Sequence, residues 1–525
     1  MKADSHSPIL RGALVIMLGI VASRLLGVVR EIAFARVFGA NNSTDAYFQA
    51  FRIPDFFYFL MAGGALAAGF VPAFSERLAR GQKDAAWHLF RSLLTILVLL
   101  SVTVIGSAFT FSPVLALLVG KGFDAQTSTL CASLMRVILP AQIFFVVGGL
   151  FMGALNSFRA FVWSALAPGG YNIVIIASIL FLGPRYGLFG VAWGVVAGAF
   201  IAQIVLQAPP LKLLGASFRP LWDPLHAGVK QVARLILPVT FGLCLLQINF
   251  MVTSVIATGL GRSSVSCFNF AFRIVWLPVG IFGSSLGVSL LPTLSAHAAL
   301  NQLDELRSKV AQSLRLLFFV VLLPASLLLL LPTPIVRFLL QSGKFTASNT
   351  SRTAAALAFF APTAVFTSLQ QVVVRSFYAL QRPLIPVFVG GASVVLCIVL
   401  SLLLAGPMEL QGLALANSLS ATINCCVLIV LLAKSVGGLE APQAGRSILK
   451  SALSLLPAAA AVYWASRWCG STFPATGKVF QAVDVMAPAL LGSAVYLLAA
   501  RLLRHPEAPW LFQLMRRKKS PAFEV

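Results

Sequence analysis

The sequence has 525 residues, of which 59% are hydrophobic and only 10% are charged. An ordinary soluble domain carries roughly a quarter charged residues, so this composition excludes a chain that folds mainly in water. The formal net charge of +24 would suit a nucleic-acid-binding protein, but the basic residues lie between apolar runs and form no basic face of a soluble domain, so we expect no nucleic-acid partner.

Fourteen apolar runs follow one another along the chain, each near or above the length of about 20 residues that a membrane-spanning helix needs. Backbone groups inside lipid must bond within their own segment, so the runs predict an all-α polytopic membrane protein with fourteen transmembrane helices. The runs cover residues 12–29, 46–74, 89–119, 130–155, 163–183, 187–211, 232–259, 265–294, 313–340, 353–378, 384–405, 410–433, 446–466 and 480–500.

The basic residues predict the orientation of these runs. With the N-terminus in the cytoplasm, most of the 39 Lys and Arg fall on cytoplasmic segments, including the basic tail at 516–519. The positive-inside rule then places both termini in the cytoplasm.

The first run ends without a small-residue cleavage site and is predicted to stay as a helix. The seven cysteines lie mostly inside apolar runs without metal-ligand spacing, so they are interpreted as packing residues, and no cofactor is expected.

A repeat at a nearly constant offset indicates an internal duplication. Ala50-Phe51-Arg52-Ile53 recurs as Ala271-Phe272-Arg273-Ile274 at an offset of 221, and Pro140 corresponds to Pro362 at an offset of 222. Runs 1–6 are therefore predicted to be duplicated as runs 7–12, giving two six-helix lobes related by a pseudo-twofold axis along the membrane normal. The predicted divisions are an N-terminal lobe at 1–220, a C-terminal lobe at 221–440, two extra helices at 441–505 and a basic tail at 506–525.

Charged residues inside the runs are the candidate functional residues, because a charge at bilayer depth is costly and usually faces a wet cavity or a partner. Arg273 is the only charged residue between Arg262 and Asp304, and Arg52 holds the equivalent place in the first lobe. Arg24 interrupts the first run and Arg30 follows at its end. A planar guanidinium matches phosphate oxygens bidentately, so arginines lining a cavity between lobes predict a site for phosphate or pyrophosphate. Snorkelling to the interface is the structural alternative for each arginine, and an ion pair with Asp55 is the alternative for Arg52.

The sequence contains no residue pattern that is typical of an enzyme active site. The five histidines lie in loops or tails, and neither a nucleotide-binding loop nor a Ser/His/Asp set is recognisable. Gly63 and Gly64, in the middle of the second run, are candidate hinge or gating residues, with close helix packing as the alternative.

Several short motifs spread over nearly the whole chain are typical of one family of membrane proteins. They are Ser23-Arg24-Leu25-Leu26-Gly27 with Arg30-Glu31, Ala35-Arg36-Val37-Phe38-Gly39-Ala40, Thr44-Asp45-Ala46-Tyr47-Phe48, Phe70-Val71-Pro72, Ala167-Pro168 with Asn172, the Arg273 region to Leu291-Pro292, Gly343-Lys344-Phe345-Thr346 and Phe377-Tyr378. In these motifs the sequence resembles the MurJ (MviN) family, the lipid II flippases of bacterial peptidoglycan synthesis within the multidrug/oligosaccharidyl-lipid/polysaccharide exporter superfamily.

This resemblance implies a bacterial inner-membrane protein with a cationic central cavity for a polyprenyl-pyrophosphate-linked precursor and a groove beside the last two helices for the polyprenyl tail. It implies that Arg24, Arg30, Asp45 and Arg273 bind the substrate, and that Arg52 fills a position that is usually basic. The chain departs from the family pattern in two places. Tyr58-Phe59 and Ala62-Gly63-Gly64 stand where an arginine pair and Ala-Glu-Gly are common, and Phe272 stands where an acid usually precedes the arginine.

The leading hypothesis is therefore a non-enzymatic flippase that moves lipid II, or a similar anionic polyprenyl-pyrophosphate lipid, by alternating access. An exporter of another lipid-linked oligosaccharide is the second hypothesis. A non-transporting membrane scaffold for cell-wall synthesis proteins is the third. Membrane lipids and cell-wall synthesis proteins are the other expected partners, and the sequence gives no oligomeric state.

Overall fold

A computed structural model of the protein describes residues 7–61, 65–472 and 477–509. These described residues are almost entirely helical and contain no β-strand. They divide into two compact units, the first comprising the described residues up to 266 with 342–346 and the second comprising 267–341 with the described residues from 347 onward. Compactness does not test the predicted duplication, so the lobe boundaries at 220 and 440 remain predictions. The predicted hinge residues Gly63 and Gly64 lie outside the described residues.

The first unit is built from helices joined mostly by short turns. Two π-helical segments, Ser178–Leu182 and Ile201–Val205, continue the helices that precede them. The α-helices are α1 Ser7–Phe38, α2 Asn42–Ala50, α3 Arg52–Met61, α4 Ala65–Ala79, α5 Lys83–Thr110, α6 Ser112–Val119, α7 Ala125–Ile138, α8 Ala141–Ser157, α9 Phe161–Ala177, α10 Gly183–Phe200, α11 Ala208–Leu213 and α12 Ala227–Thr258.

The second unit contains fewer and longer helices. A third π-helical segment, Val279–Gly283, joins the first two of them into one continuous helix. The α-helices are α13 Ser264–Pro278, whose first turn belongs to the first unit, α14 Ser284–Ala299, α15 Leu303–Leu330, α16 Pro332–Leu340, α17 Ala347–Ala379, α18 Leu384–Val436, α19 Ala441–Thr472 and α20 Lys478–Leu502.

Nine helical ranges among the described residues are long and apolar enough to cross a membrane. Five of them contain one predicted run each, and two ranges of 53 residues contain two runs each. The remaining two ranges, 83–110 and 303–330, each overlap a run that extends beyond them, 89–119 and 313–340. The 53-residue ranges are interrupted by non-helical residues, Gly187 (φ 60°) in one and Glu409 (φ 48°) in the other. A multi-pass helical membrane protein is therefore confirmed, and the count of fourteen remains a prediction.

A tight backbone contact joins the turn after α1 to residues 342–346. The N–H of Lys344 donates to the carbonyl of Arg36 at 3.0 Å. Each of the two segments contains a glycine in the left-handed backbone conformation, Gly39 (φ 70°) and Gly343 (φ 58°). A Cβ on Gly39 would lie 2.3 Å from the carbonyl oxygen of Lys344, and one on Gly343 would lie 2.2 Å from that of Arg36. Only glycine supplies both the backbone conformation and the space.

Buried charges after α20 hold the end of the described chain within the second unit. Arg315 on α15 donates from Nε to Oε1 of Glu507 at 2.9 Å and from Nη1 to Oε2 of Glu440 at 2.7 Å. Ser447 on α19 donates to the other oxygen of Glu507 at 3.0 Å. Burial raises the pKa of Glu507, but hydrogen bonds from His505, Ser447 and Arg315 outweigh it, so this pKa lies below its usual value. The network ties α15 and α19 to the segment that follows α20.

Candidate functional site

Arg30 lies in a polar cluster between α1 and α9. Its Nε and Nη2 donate to Oε1 of Glu31 at 3.1 and 2.7 Å, and its Nη1 donates to Oδ1 of Asn172 at 3.1 Å. The amide nitrogen of Asn172 donates in turn to the carbonyls of Ser23 at 3.2 Å and Pro168 at 3.1 Å. The Arg30 guanidinium is therefore oriented by an acid of its own helix and an amide of α9, and its charge is partly balanced.

Arg24 lies on α1 beside this cluster but is differently placed. Its side chain is partly buried, and its Nε has no hydrogen-bond partner in the described part of the chain. Leaving a buried donor without an acceptor costs about 1–3 kcal/mol, and more where the group is charged. The adjacent carbonyl of Ser23 is bonded to Asn172, which ties this turn of α1 to α9. The arrangement thus presents a positioned guanidinium donor that an anionic ligand would satisfy.

Asp45 is buried rather than open to a cavity, with only 2% of its surface exposed. Its Oδ1 accepts the backbone N–H of Ser266 at 2.7 Å and also accepts the Ser266 hydroxyl. Ser266 is the third residue of α13, so the carboxylate binds the positive end of that helix. Asp45 thereby fixes the start of the helix that continues to Arg273.

Arg52 is also buried, with 3% of its surface exposed. Its Nε donates to the Ser254 hydroxyl at 3.1 Å, and its guanidinium carbon lies 4.2 Å from the ring centroid of Phe250. The Ser254 hydroxyl donates to Oε1 of Gln49 at 2.7 Å, and the Gln49 amide donates to the carbonyl of Val119. Arg52 and Gln49 therefore face protein, and their side chains share one serine of α12.

Arg273 lies on α13 and is partly exposed. Phe272, which occupies the place where the family pattern has an acid, packs into an aromatic cluster. Its ring centroid lies 5.8 Å from that of Phe360 on α17 and 5.7 Å from that of Trp276. At position 272 an aromatic ring therefore packs between α13 and α17, where the family pattern has a charged side chain.

The structure shows polar residues that the sequence alone does not indicate, including the hydrogen-bond partners of Arg52 and Asp45. Ser254 and Ser266 lie more than 200 positions away from the side chains they bind, so no local pattern indicates them. The sequence indicates Asn172 only through the family resemblance. Arg375 lies three residues from the end of the predicted run 353–378, and no sequence pattern singles it out, because a charge so near the end of a run is typical of an interfacial residue.

Comparison with known proteins identifies the family. The model described as "Lipid II flippase MurJ" matches residues 34–483. A protein of Burkholderia cenocepacia named "Lipid II flippase MurJ" is 31% identical over 489 residues, which cover 91% of this chain and 93% of that protein. The family-model match includes α2 to α18, which carry Asp45, Arg52 and Arg273.

Two solved structures share the fold. One, described as "Lipid II flippase MurJ, inward closed conformation", aligns with a TM-score of 0.78 at 22% identity, covering 93% of this chain and 98% of the other. The other, an inward-facing MATE family transporter of the MOP superfamily, aligns with a TM-score of 0.68 at 15% identity, covering 82% and 99%. The predicted resemblance is confirmed: this chain is a multi-pass membrane protein that belongs to the MurJ family, a family of transporters and not of enzymes.

Proposed function

We propose that this protein is a lipid II flippase that carries the undecaprenyl-pyrophosphate-linked peptidoglycan precursor from the inner to the outer leaflet by alternating access. Membership of the MurJ family supports the substrate, since the family model and its relatives carry the description of lipid II flippase. The single structural observation that carries the mechanism is the buried Nε of Arg24, which has no acceptor among the described residues.

Arg24 is the proposed first contact for the pyrophosphate. A guanidinium stays charged at any cellular pH and offers a fork of donors that fits two phosphate oxygens. The Arg30–Asn172 cluster positions it, because Asn172 binds the carbonyl next to Arg24 and the side chain of Arg30 at the same time. Since Glu31 already balances Arg30, Arg24 carries the less compensated charge of the pair.

Arg273 is the proposed phosphate ligand from the second unit. It is partly exposed, whereas Arg52, its counterpart in the sequence repeat, is buried against Phe250. Asp45 and Arg52 therefore act as positioning residues in this conformation: they hold α2 and α3 against α12 and the start of α13. Release of these contacts would accompany opening toward the outer side.

The proposed location is the bacterial inner membrane with both termini in the cytoplasm. This orientation rests on the distribution of Lys and Arg among the segments between the apolar runs. It puts the turn after α1 and residues 342–346 on the outer side, so their backbone contact closes that side while substrate loads from the cytoplasm. The last two helices, α19 and α20, would supply the groove for the polyprenyl tail.

Depletion of the native flippase in a bacterium that expresses this chain tests the proposal. The chain is expected to restore growth and keep inner-leaflet lipid II low, whereas Arg24→Ala and Arg273→Ala should each reduce transport about tenfold or more by removing a charge-assisted phosphate contact. Arg185→Ala is the matched control, because Arg185 is exposed in the first turn of α10.

Three outcomes separate the hypotheses. Full restoration by both cavity variants at matched protein levels would contradict the proposed site. Failure of the unmodified chain to lower inner-leaflet lipid II, together with export of another polyprenyl-linked oligosaccharide, would favour the second hypothesis. A growth defect without any change in the leaflet distribution of such lipids would favour the scaffold.

A further inference from the structure

Arg375 is an arginine within an apolar helix that the mechanism above does not use. It lies on α17, four residues before the helix ends at Ala379, and it is partly buried. Its Nη1 donates to the carbonyl and to the side-chain oxygen of Gln371 at 3.3 and 3.2 Å. These partners are neutral, and in the described part of the chain Arg375 forms no ion pair with a carboxylate.

The Arg375 guanidinium packs against the backbone of α14 at Gly287, which has no side chain. A Cβ added to Gly287 on α14 would lie 2.1 Å from Nη1 of Arg375 and 3.2 Å from the carbonyl oxygen of Gln371. One helical turn earlier, a Cβ on Gly283 would lie 2.8 Å from Cα of Ser368. The two glycines are four positions apart and face α17, which is the small-residue spacing that lets membrane helices approach closely.

This geometry differs from that of an interfacial arginine. A snorkelling side chain extends toward water and keeps its charged group hydrated. Arg375 instead lies against Gly287, and among the residues that the structure describes only Nη1 of its three nitrogens has hydrogen-bond partners. The remaining donors can still bind two oxygens of a phosphate group in the bidentate manner of guanidinium groups.

We infer that Arg375 is a further phosphate-binding residue and that Gly287 is the residue that positions it. In the proposed orientation α17 runs from the outer to the inner side, which puts Arg375 near the cytoplasmic end of its helix. It is therefore placed to contact the pyrophosphate of the lipid substrate as that lipid enters from the inner leaflet. This inference rests on the proposed function and adds a recognition step at the entry side.

Lipid II binding to the purified full chain in nanodiscs tests the inference. Arg375→Gln and Gly287→Ala should each weaken binding about tenfold, because each removes or displaces one charge-assisted contact. Arg375→Lys should retain part of the affinity, since the charge remains but the planar fork is lost. Gly390→Ala is the matched glycine control, because a Cβ there meets nothing within 4 Å.

A double variant separates positioning from loss of helix packing. If Gly287 acts through Arg375, adding Gly287→Ala to Arg375→Gln should weaken binding no further than Arg375→Gln alone. A larger loss in the double variant, or unchanged binding by Arg375→Gln and Arg375→Lys, would overturn the inference. Thermal unfolding of each variant identifies any that fail to fold, and the two Arg375 variants leave the glycine contact intact.

The lipid composition of the nanodiscs distinguishes two sources of phosphate. The inference requires the same loss of lipid II binding in pure phosphatidylcholine and in a mixture with phosphatidylglycerol. A loss that appears only with phosphatidylglycerol would assign Arg375 to bulk anionic lipid and refute the inference. If the unmodified chain binds no lipid II in either membrane, the proposed function fails and this inference fails with it, whereas binding that Arg375→Gln leaves unchanged refutes the inference alone.

Discussion

Replacing Asp45 by Asn should lower the stability of the protein and leave its affinity for lipid II nearly unchanged. The Asp45 carboxylate is 2% exposed and accepts two hydrogen bonds from Ser266, one from the backbone N–H at 2.7 Å and one from the hydroxyl. An amide retains one accepting oxygen but loses the charge. Because a charge-assisted hydrogen bond is worth roughly 1 kcal/mol more than a neutral one, and the carboxylate also faces a helix N-terminus, the expected loss is about 2–3 kcal/mol.

Unfolding of the purified full chain in detergent measures this effect. Asp45→Asn should lower the unfolding temperature, Ser266→Ala should lower it less, and the double variant should lose less than the sum of the two because the sites share one interaction. Asp84→Asn is the matched control, since Asp84 is exposed in the first turn of α5. The control should leave the unfolding temperature unchanged.

Lipid II binding by the same variants decides between a positioning and a binding role for Asp45. The positioning role predicts that Asp45→Asn, measured below its unfolding temperature, binds lipid II with nearly the affinity of the unmodified chain. An Asp45→Asn protein that is as stable as the unmodified chain but binds lipid II at least tenfold less well would refute this reasoning. It would instead support the substrate-binding role that the family resemblance implies for Asp45.

Three further predictions concern buried contacts. Arg52→Lys should lower the free energy of unfolding by about 1–2 kcal/mol, because the ammonium cannot both stack on Phe250 and replace the Nε donor; unfolding in detergent checks this. Glu507 has a lowered pKa in the folded chain, so its stabilising contribution is present above the unfolded pKa of about 4.3 and is lost as pH falls through the folded value; thermal unfolding of Glu507→Gln from pH 7 to 3 should show a weaker loss than the unmodified chain. Gly39→Ala should cost at least about 2 kcal/mol more than Gly81→Ala, because both positions have positive φ but only at Gly39 does a Cβ meet backbone; the same unfolding assay compares them.

The helical membrane fold could be predicted from the sequence because lipid imposes a simple rule on apolar length. The two strong backbone breaks, at Gly187 and Glu409, fall where predicted runs meet, so even these turns left a pattern in hydropathy. Helix bends inside an apolar stretch leave no such pattern. The helix break at Phe51, between α2 and α3, lies inside the second predicted run, and hydropathy did not predict it.

The candidate site was predictable in its residue types but not in their environments. Arg52 and Arg273 lie in identical tetrapeptides, yet one is buried against Phe250 and the other is partly exposed. The tetrapeptide does not determine this difference, because the partners of Arg52 come from α12, about 200 positions away. An arginine inside an apolar run indicates that its charge has a protein partner or a ligand, because an isolated charge in lipid is costly. The sequence does not tell which of the two it has, because the partner can lie far along the chain.

The Asp45–Ser266 contact bears on the predicted duplication. The two residues are separated by 221 positions, which is the offset between the repeated Ala-Phe-Arg-Ile segments. A twofold axis exchanges each residue with its repeat counterpart, so counterparts can touch only where they lie near that axis. If the lobes are duplicated as predicted, positions 45 and 266 are counterparts that lie beside the axis; the duplication itself stays a prediction, since the offset of 221 comes from the sequence match.

On the predicted duplication, Ser266 is the counterpart of Asp45, and their contact gives a reason for the acid not to be repeated. If both copies had kept Asp, two carboxylates would meet in a buried place, and one of them would have to bind a proton or move apart. Ser266 instead supplies a hydroxyl and a helix N-terminal N–H to the Asp45 carboxylate. A buried carboxylate beside a pseudo-twofold axis is stabilised where its counterpart donates hydrogen bonds to it, so the predicted duplication would account for a serine at position 266 opposite the acid at position 45.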